Sequence, residues 1–212
     1  MHGSFEDSRR RQGQGVSLMK ERTSEQRTVV FTIGHSTRSV TEFIEIIKVY
    51  GIKKVADIRT IPKSRHNPQF NTDALSESLK AVKIAYLHME GLGGLRRALK
   101  DSQNTAWRNA SFRGFADYMQ TEAFEENLDK LLAAAAKCPT VIMCAEAVPW
   151  RCHRSLIADA LFIRGVLVTH IMGMNSSRKH ALTPWAKVEG RKLIYPPSPD
   201  NQETGPISSN LN

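Results

Sequence analysis

Residues 140–171 read TVIMCAEAVPWRCHRSLIADALFIRGVLVTHI, and the order of patterns inside this stretch decides the fold. Positions 140–143 are a short apolar, β-branched run, which predicts a strand. Positions 151–164 then place His153, Leu156, Ile157 and Ala160 on one helical stripe, and Gly165 closes the stretch. Positions 166–171 are again β-branched and apolar. A strand, a helix and a strand in this order form a crossover unit, from which the two strands are expected to run parallel, side by side, in one sheet.

The same alternation extends toward the N-terminus. Positions 29–33 predict a strand ending at Gly34. Ser39 with Glu42 three residues later forms a capping box, and Val40, Phe43, Ile44, Ile47 and Tyr50 recur at helical spacing up to Gly51. Positions 54–58 predict a second strand, 73–82 a second helix and 84–88 a third strand before Gly91. After an insertion over 92–113, helical stretches follow over 115–120 and 121–137, the latter aligning Phe124, Leu128, Leu131 and Leu132. The expected class is α/β, with three layers: a mostly parallel β-sheet carrying helices on both faces. The insertion is too short for a domain of its own.

The chain has 212 residues, with 30 Lys plus Arg against 21 Asp plus Glu, giving a net charge of +9. At 41% hydrophobic it has material for a real core, which excludes collagen-like, mucin-like and disulfide-scaffold classes. Three cysteines, Cys138, Cys144 and Cys152, are a sparse, odd set that suits a reducing compartment. The longest apolar run, 131–136, is far below the roughly 20 residues a membrane helix needs, and no signal-peptide core follows the N-terminal arginines. A soluble cytoplasmic protein with no membrane partner is expected.

Residues 1–27 are expected to be a disordered basic leader, 28–195 a single α/β domain and 196–212 a flexible tail. Residues 28–195 carry 24 basic against 15 acidic side chains, so the folded part owns the positive field. Such a field concentrates anions, whether a small molecule, a nucleotide or nucleic acid, without choosing among them.

Ligands of open parallel sheets collect beyond the carboxyl ends of the strands. Three such ends are polar here. The first offers His35 and Ser36, although Ser36 or Ser39 also suits a helix cap. The second offers Asp57 and Arg59, two apart on one side of a strand, followed by Lys63 and Arg65 in a loop. A structural ion pair is the plain reading of the first two. The third end is the richest, with Cys144, Glu146, Arg151, Cys152, His153 and Arg154. Pro149 suits a helix entrance there, and a helix beginning near Arg151 directs N–H groups at Cys144, lowering its thiol pKa. Cys144, Glu146 and His153 are the candidate catalytic residues, Cys144 as nucleophile and the other two as proton carriers. His35, Ser36, Asp57, Arg59, Arg151 and Arg154 are the candidate substrate-binding residues, Arg59 and Arg154 clamping an anion. The plain alternatives are packing roles for Cys144 and Cys152, and a Glu146 that only steadies a neighbouring arginine.

Other signals are discounted. Cys144, Cys152 and His153 are soft donors, but no Cys-x-x-Cys pair exists and the last two are sequence neighbours, so no metal site is expected. Gly91, Gly93 and Gly94 before Arg96 and Arg97 match neither a Walker loop nor a Rossmann fingerprint, and no cofactor is implied. Residues 112–118, FRGFADY, share Arg113, Gly114 and Phe115 with an RNA-recognition signature. Asp117 stands where an aromatic belongs, so these aromatics and Trp107 are assigned to the core.

The motifs TIGHS at 32–36, ADIR at 56–59 with Pro62, Ser64 and Phe70, LGG at 92–94, MCAE at 143–146 and CHRSLI at 152–157 together resemble domain-of-unknown-function family 488 (DUF 488). The resemblance runs over about 28–195. It implies a soluble bacterial or archaeal α/β protein and carries no established activity or site residues. A weaker likeness links the chain to rhodanese-like domains, since Asp57, Arg59 and Cys144 sit in similar places. That likeness implies sulfur or phosphoryl transfer at Cys144. The segment from Cys144 to Cys152 departs from it by its length, by Glu146 and Pro149, and by placing Arg151 seven positions after Cys144. The leading expectation is a small enzyme acting on a nucleotide-like or phosphorylated anion. The alternatives are a nucleic-acid-binding or regulatory module using Lys63, Arg65, Arg96 and Arg97, and a rhodanese-like sulfur carrier.

Overall fold

The computed structural model describes residues 28–197, so the leader and nearly all of the tail lie outside the described residues. In chain order come β1 (Val29–Gly34), α1 (Val40–Val49), β2 (Lys54–Asp57), α2 (Thr72–Ala81) and β3 (Ala85–His88). Then follow α3 (Ala110–Tyr118), α4 (Glu122–Ala135), β4 (Thr140–Cys144), α5 (Arg154–Phe162) and β5 (Leu167–Gly173). The last elements are β6 (Ser176–Lys179), β7 (Lys187–Glu189) and β8 (Lys192–Ile194). Six strands form one sheet in the order β3-β2-β4-β1-β5-β6, with β1 to β5 parallel and β6 antiparallel to β5; β4 and β5, expected side by side, are separated by β1, which pairs with both.

Strand alternation sends successive side chains to opposite faces, and each face builds its own core. Ile33, Val55, Val141 and Met143 meet Phe43, Ile47, Leu75 and Leu79 of α1 and α2. On the other face Val30, Ala56 and Ile142 meet Phe115 of α3, Phe124 and Leu128 of α4, and Leu156 and Ile157 of α5. Cys144 shares the second face with Ile142. The three-layer α/β architecture follows from this two-sided burial. No helix among the described residues is long and apolar enough to cross a membrane.

Local chemistry sets the helix ends. The Ser39 hydroxyl accepts the Glu42 N–H at 3.1 Å, while the Glu42 carboxylate pairs with Arg38 at 3.3 Å. α3 begins at Ala110, five residues ahead of the expected start, because the Asn109 side chain accepts the Ser111 and Phe112 N–H groups. α5 begins at Arg154, not near Arg151. Pro149–Arg151 makes a separate single turn, and Cys152 is extended at φ −137°, ψ 141°.

The exposed SSRK run of β6 has no apolar alternation to announce a strand. The segment after it is tied down by the buried Asp159 of α5. That carboxylate accepts from His180 Nε2 at 2.9 Å, the Thr183 N–H at 3.0 Å and Tyr195 OH at 2.9 Å. The buried Asp117 carboxylate of α3 ties down the insertion in the same way, accepting from the Leu99 N–H at 2.9 Å and Asn104 Nδ2 at 2.8 Å.

Candidate functional site

β4 lies between β2 and β1, so the three polar strand ends are neighbours. Backbone bonds continue past the strands: the His35 N–H donates to the Cys144 carbonyl at 2.9 Å, Ser36 to Ala145 at 2.9 Å and Ile58 to Met143 at 3.0 Å. The loop after β4 crosses the end of β1 so closely that a Cβ on Gly34 would stand 1.7 Å from the Glu146 carbonyl oxygen. From the other side, the buried Arg154 donates Nη1–H to that same carbonyl at 2.6 Å and Nη2–H to the Ala147 carbonyl at 2.8 Å. The loop is therefore fixed by glycine below and guanidinium above.

A cleft of about 390 Å³ opens beside this loop. Arg59, Thr60 and Ile61 line it after β2, Gly94 and Leu95 from the glycine turn, and Ser111 and Phe112 from α3. Cys144, Ala145, Glu146, Arg151, Cys152 and His153 complete it. His153 Nδ1 stands 4.0 Å from the Cys144 sulfur and 3.7 Å from the Cys152 sulfur. Its Nε2 is 3.3 Å from the Ile58 carbonyl, to which it donates its proton. That fixes the tautomer: Nδ1 turns its lone pair toward both sulfurs. The ring packs edge-on against Phe115 with centroids 5.0 Å apart.

The two thiols are unequal. The neighbouring Cys144 thiol brings the Cys152 thiol down to about 7 despite its burial, and the charge and N–H of Arg154 add to this. The Cys152 thiol beside it, together with burial, pushes the Cys144 thiol up.

Beside the cleft lies a buried polar chain. Arg59 donates Nε–H to Asp57 Oδ1 at 2.9 Å and Nη2–H to Asp57 Oδ2 and to the Phe70 carbonyl at 2.7 Å. Tyr86 OH donates to Asp57 Oδ2 at 2.8 Å, and burial first, then Asp57, pushes its phenol up to about 12. His35 stacks on Phe70 at 4.1 Å, donates Nδ1–H to the Ser36 carbonyl at 2.8 Å and turns Nε2 to Arg59 Nη1 at 3.3 Å. Burial is the main reason its imidazole falls to about 4.

The sequence candidates thus divide. Cys144, Glu146, His153, Arg59 and Arg151 line the cleft, whereas His35, Ser36, Asp57 and Arg154 do not. Arg59 reaches it with most of its donors already engaged, and the exposed Arg151 is the freer cation of the two. The expected aim of a helix end near Arg151 at Cys144 is corrected by the later start of α5. The Arg154 guanidinium holds backbone carbonyls in the place of an anion.

Residues 39–161 match the family described as domain of unknown function DUF488. The chain belongs to this family. The match contains Asp57, Arg59, Cys144, Cys152 and His153, while β1 with His35 and Ser36 precedes it. No curated protein and no solved structure matches the chain, and the family match does not bear on the rhodanese-like resemblance.

In this DUF488 protein the neighbours Cys152 and His153 do converge with Cys144, their donor atoms all within 4.8 Å of one another. The expectation that adjacent residues diverge fails because Cys152 is extended and His153, at φ −55°, ψ −17°, is already helical. This break in conformation turns both side chains to one side. Thr60, Leu95 and Ser111 also line the cleft but carry no motif, and Phe112, expected in the core, lines it as well. Gly94 did carry one: a Cβ there would lie 2.5 Å from His153 Nδ1. Arg96, grouped with the surface cations, instead lies 3.7 Å over the Tyr118 ring and donates to the Gly91 and Gly93 carbonyls.

Proposed function

We propose that this DUF488 protein is a small enzyme that binds a nucleotide-like or phosphorylated anion in the cleft and acts on it with the Cys152 sulfur. One observation carries the reading. Two thiols and an imidazole converge on the wall of an open cleft that also presents two guanidinium groups, of Arg59 and Arg151, against the single carboxylate of Glu146. Thiol, imidazole and cation in one recess form the set that nucleophilic chemistry on an anion uses.

Cys152 is the sulfur nearer to His153 Nδ1, and the adjacent Cys144 thiol and Arg154 favour its thiolate. In the proposed step His153 takes the Cys152 proton, and the sulfur bonds to the electrophilic centre of the substrate. The leaving group departs with the bonding pair and that proton, and Glu146 activates the water or acceptor that frees the enzyme. Arg151 at the rim attracts and orients the anionic part.

The test is a thermal-shift panel of nucleotides and phosphorylated metabolites against the full chain, followed by turnover of every hit. A hit that raises the melting temperature, loses its effect in Arg151→Ala and is not turned over by Cys152→Ala supports the proposal. A panel with no shift, or turnover intact in Cys152→Ala, overturns it.

A further inference from the structure

The three donors at the cleft also satisfy a second chemistry. A tetrahedral zinc ion with Zn–S near 2.3 Å and Zn–N near 2.0 Å sets its ligand atoms about 3.5 to 3.8 Å apart. His153 Nδ1 stands 3.7 Å from one sulfur and 4.0 Å from the other, and all three donors lie within 4.8 Å of one another. Closing on a common ion thus takes shifts of a few tenths of an ångström to about one ångström.

A further observation points the same way independently of spacing. A metal-bound histidine donates its other ring N–H to a carbonyl or carboxylate, which fixes the ring and frees the ligating lone pair. His153 Nε2 faces the Ile58 carbonyl at 3.3 Å, leaving Nδ1 to the sulfurs. Cys144, Cys152 and His153 all line the cleft, so the fourth position of a tetrahedron falls to a water or to an incoming ligand from that side.

From this geometry we infer that Cys144, Cys152 and His153 form a zinc site, and that an ion bound there silences the sulfur nucleophile. The silencing half rests on the proposed function, whereas the binding half does not. Entry of Zn²⁺ forms two Zn–S bonds and one Zn–N bond, and any proton still on either thiol passes to solvent. Two thiolates cancel the charge of the ion, which places no net charge beside the buried Arg154. The ion ties up the sulfur electron pair that would otherwise attack the substrate. Affinity rises with pH, since the displaced protons are part of the binding equilibrium.

The experiment titrates metal-free, full-length protein with Co²⁺ alone and follows sulfur-to-metal charge transfer in the near ultraviolet, then displaces Co²⁺ with Zn²⁺. One equivalent is expected, with at least a 100-fold weaker affinity in Cys152→Ser and in His153→Gln and no change in Cys138→Ser, whose sulfur lies on a different recess. Because a buried substitution can unfold the chain, wild-type protein is also alkylated with and without Zn²⁺ and mapped by mass spectrometry. At least tenfold protection of Cys144 and Cys152, with Cys138 unprotected, supports the site. Absence of charge transfer, or protection spread equally over the three cysteines, overturns it. Anion-induced thermal shifts are read on metal-free protein, so loss of the zinc site and loss of the proposed enzymatic reading register in different measurements.

Discussion

Gly94 and His153 are packed so tightly that the glycine holds the imidazole in place. A methyl group at 94 would lie 2.5 Å from Nδ1 and 2.7 Å from Cγ of the ring. The ring would have to swing away from the two sulfurs, since it is already packed on Phe115 at its edge. Gly94→Ala is therefore expected to weaken Co²⁺ binding at least tenfold, while the folding free energy from urea denaturation falls by only about 1 kcal/mol. Unchanged metal affinity in a folded Gly94→Ala protein would show that this contact does not position the ring.

Gly34 is the harsher case, because its neighbour cannot rotate out of the way. The atom 1.7 Å from a Cβ at 34 is the Glu146 carbonyl oxygen, and the Ala147 Cα is 3.1 Å away. Gly34→Ala must displace the loop after β4 as a unit. Urea denaturation is expected to show a loss of about 3 kcal/mol, at the upper end of ordinary overpacking. A loss below about 0.5 kcal/mol, the range of a neutral surface change, would contradict the close crossing.

These two glycines also mark how far the sequence could be read. The alternation around residues 140–171 was enough for the α/β class, because strand and helix periods are local properties. The adjacency of the ends of β1, β2 and β4 was not local. It depends on β4 inserting between β1 and β2, which no single stretch encodes. Among the site candidates, Cys144 and His153 were legible as polar residues next to apolar strands. The placements of Cys152 and Arg154 were not, since both hinge on where α5 begins. A helix from 151 and a helix from 154 have the same apolar stripe and differ by most of a turn in where residues 151–153 point.

Arg154 is expected to act as a brace for the loop. It supplies donors to the Glu146 and Ala147 carbonyls from within the core. Removing it takes the paired donors from the Glu146 and Ala147 carbonyls, which belong to exposed residues and regain part of the loss from water. Arg154→Met should lower stability by about 1 to 3 kcal/mol. The amides of His35 and Ser36, which bond the Cys144 and Ala145 carbonyls, should exchange with deuterium faster. Arg154→Lys keeps the charge but lacks the planar fork that spans both carbonyls, so most of the loss should persist. Full rescue by lysine would show that charge, and not the paired donors, is what the loop requires.

Stability should also fall on mild acidification, through two imidazoles that the fold keeps neutral. His35 is held at about 4 chiefly by burial, with Arg59 and Arg38 lowering it further against the pull of Asp57. His170 is held at about 4 by burial and by His180, Arg154 and Arg178, with Asp159 opposing. It sits between Thr32 Oγ1 at 2.8 Å and His180 Nδ1 at 3.0 Å. Each imidazole ionises near 6.5 once unfolded, so the unfolded chain binds more protons below that pH. Their contribution is therefore complete above pH 6.5 and is lost as the pH falls from 6.5 toward 4. Between pH 7 and pH 5 each imidazole should cost about 2 kcal/mol of folding free energy. Urea denaturation at the two pH values measures the sum, and His35→Gln should remove about half of the slope. A folding free energy that is flat from pH 7 to pH 5, or unchanged in slope by His35→Gln, would mean that these rings take up protons inside the folded protein.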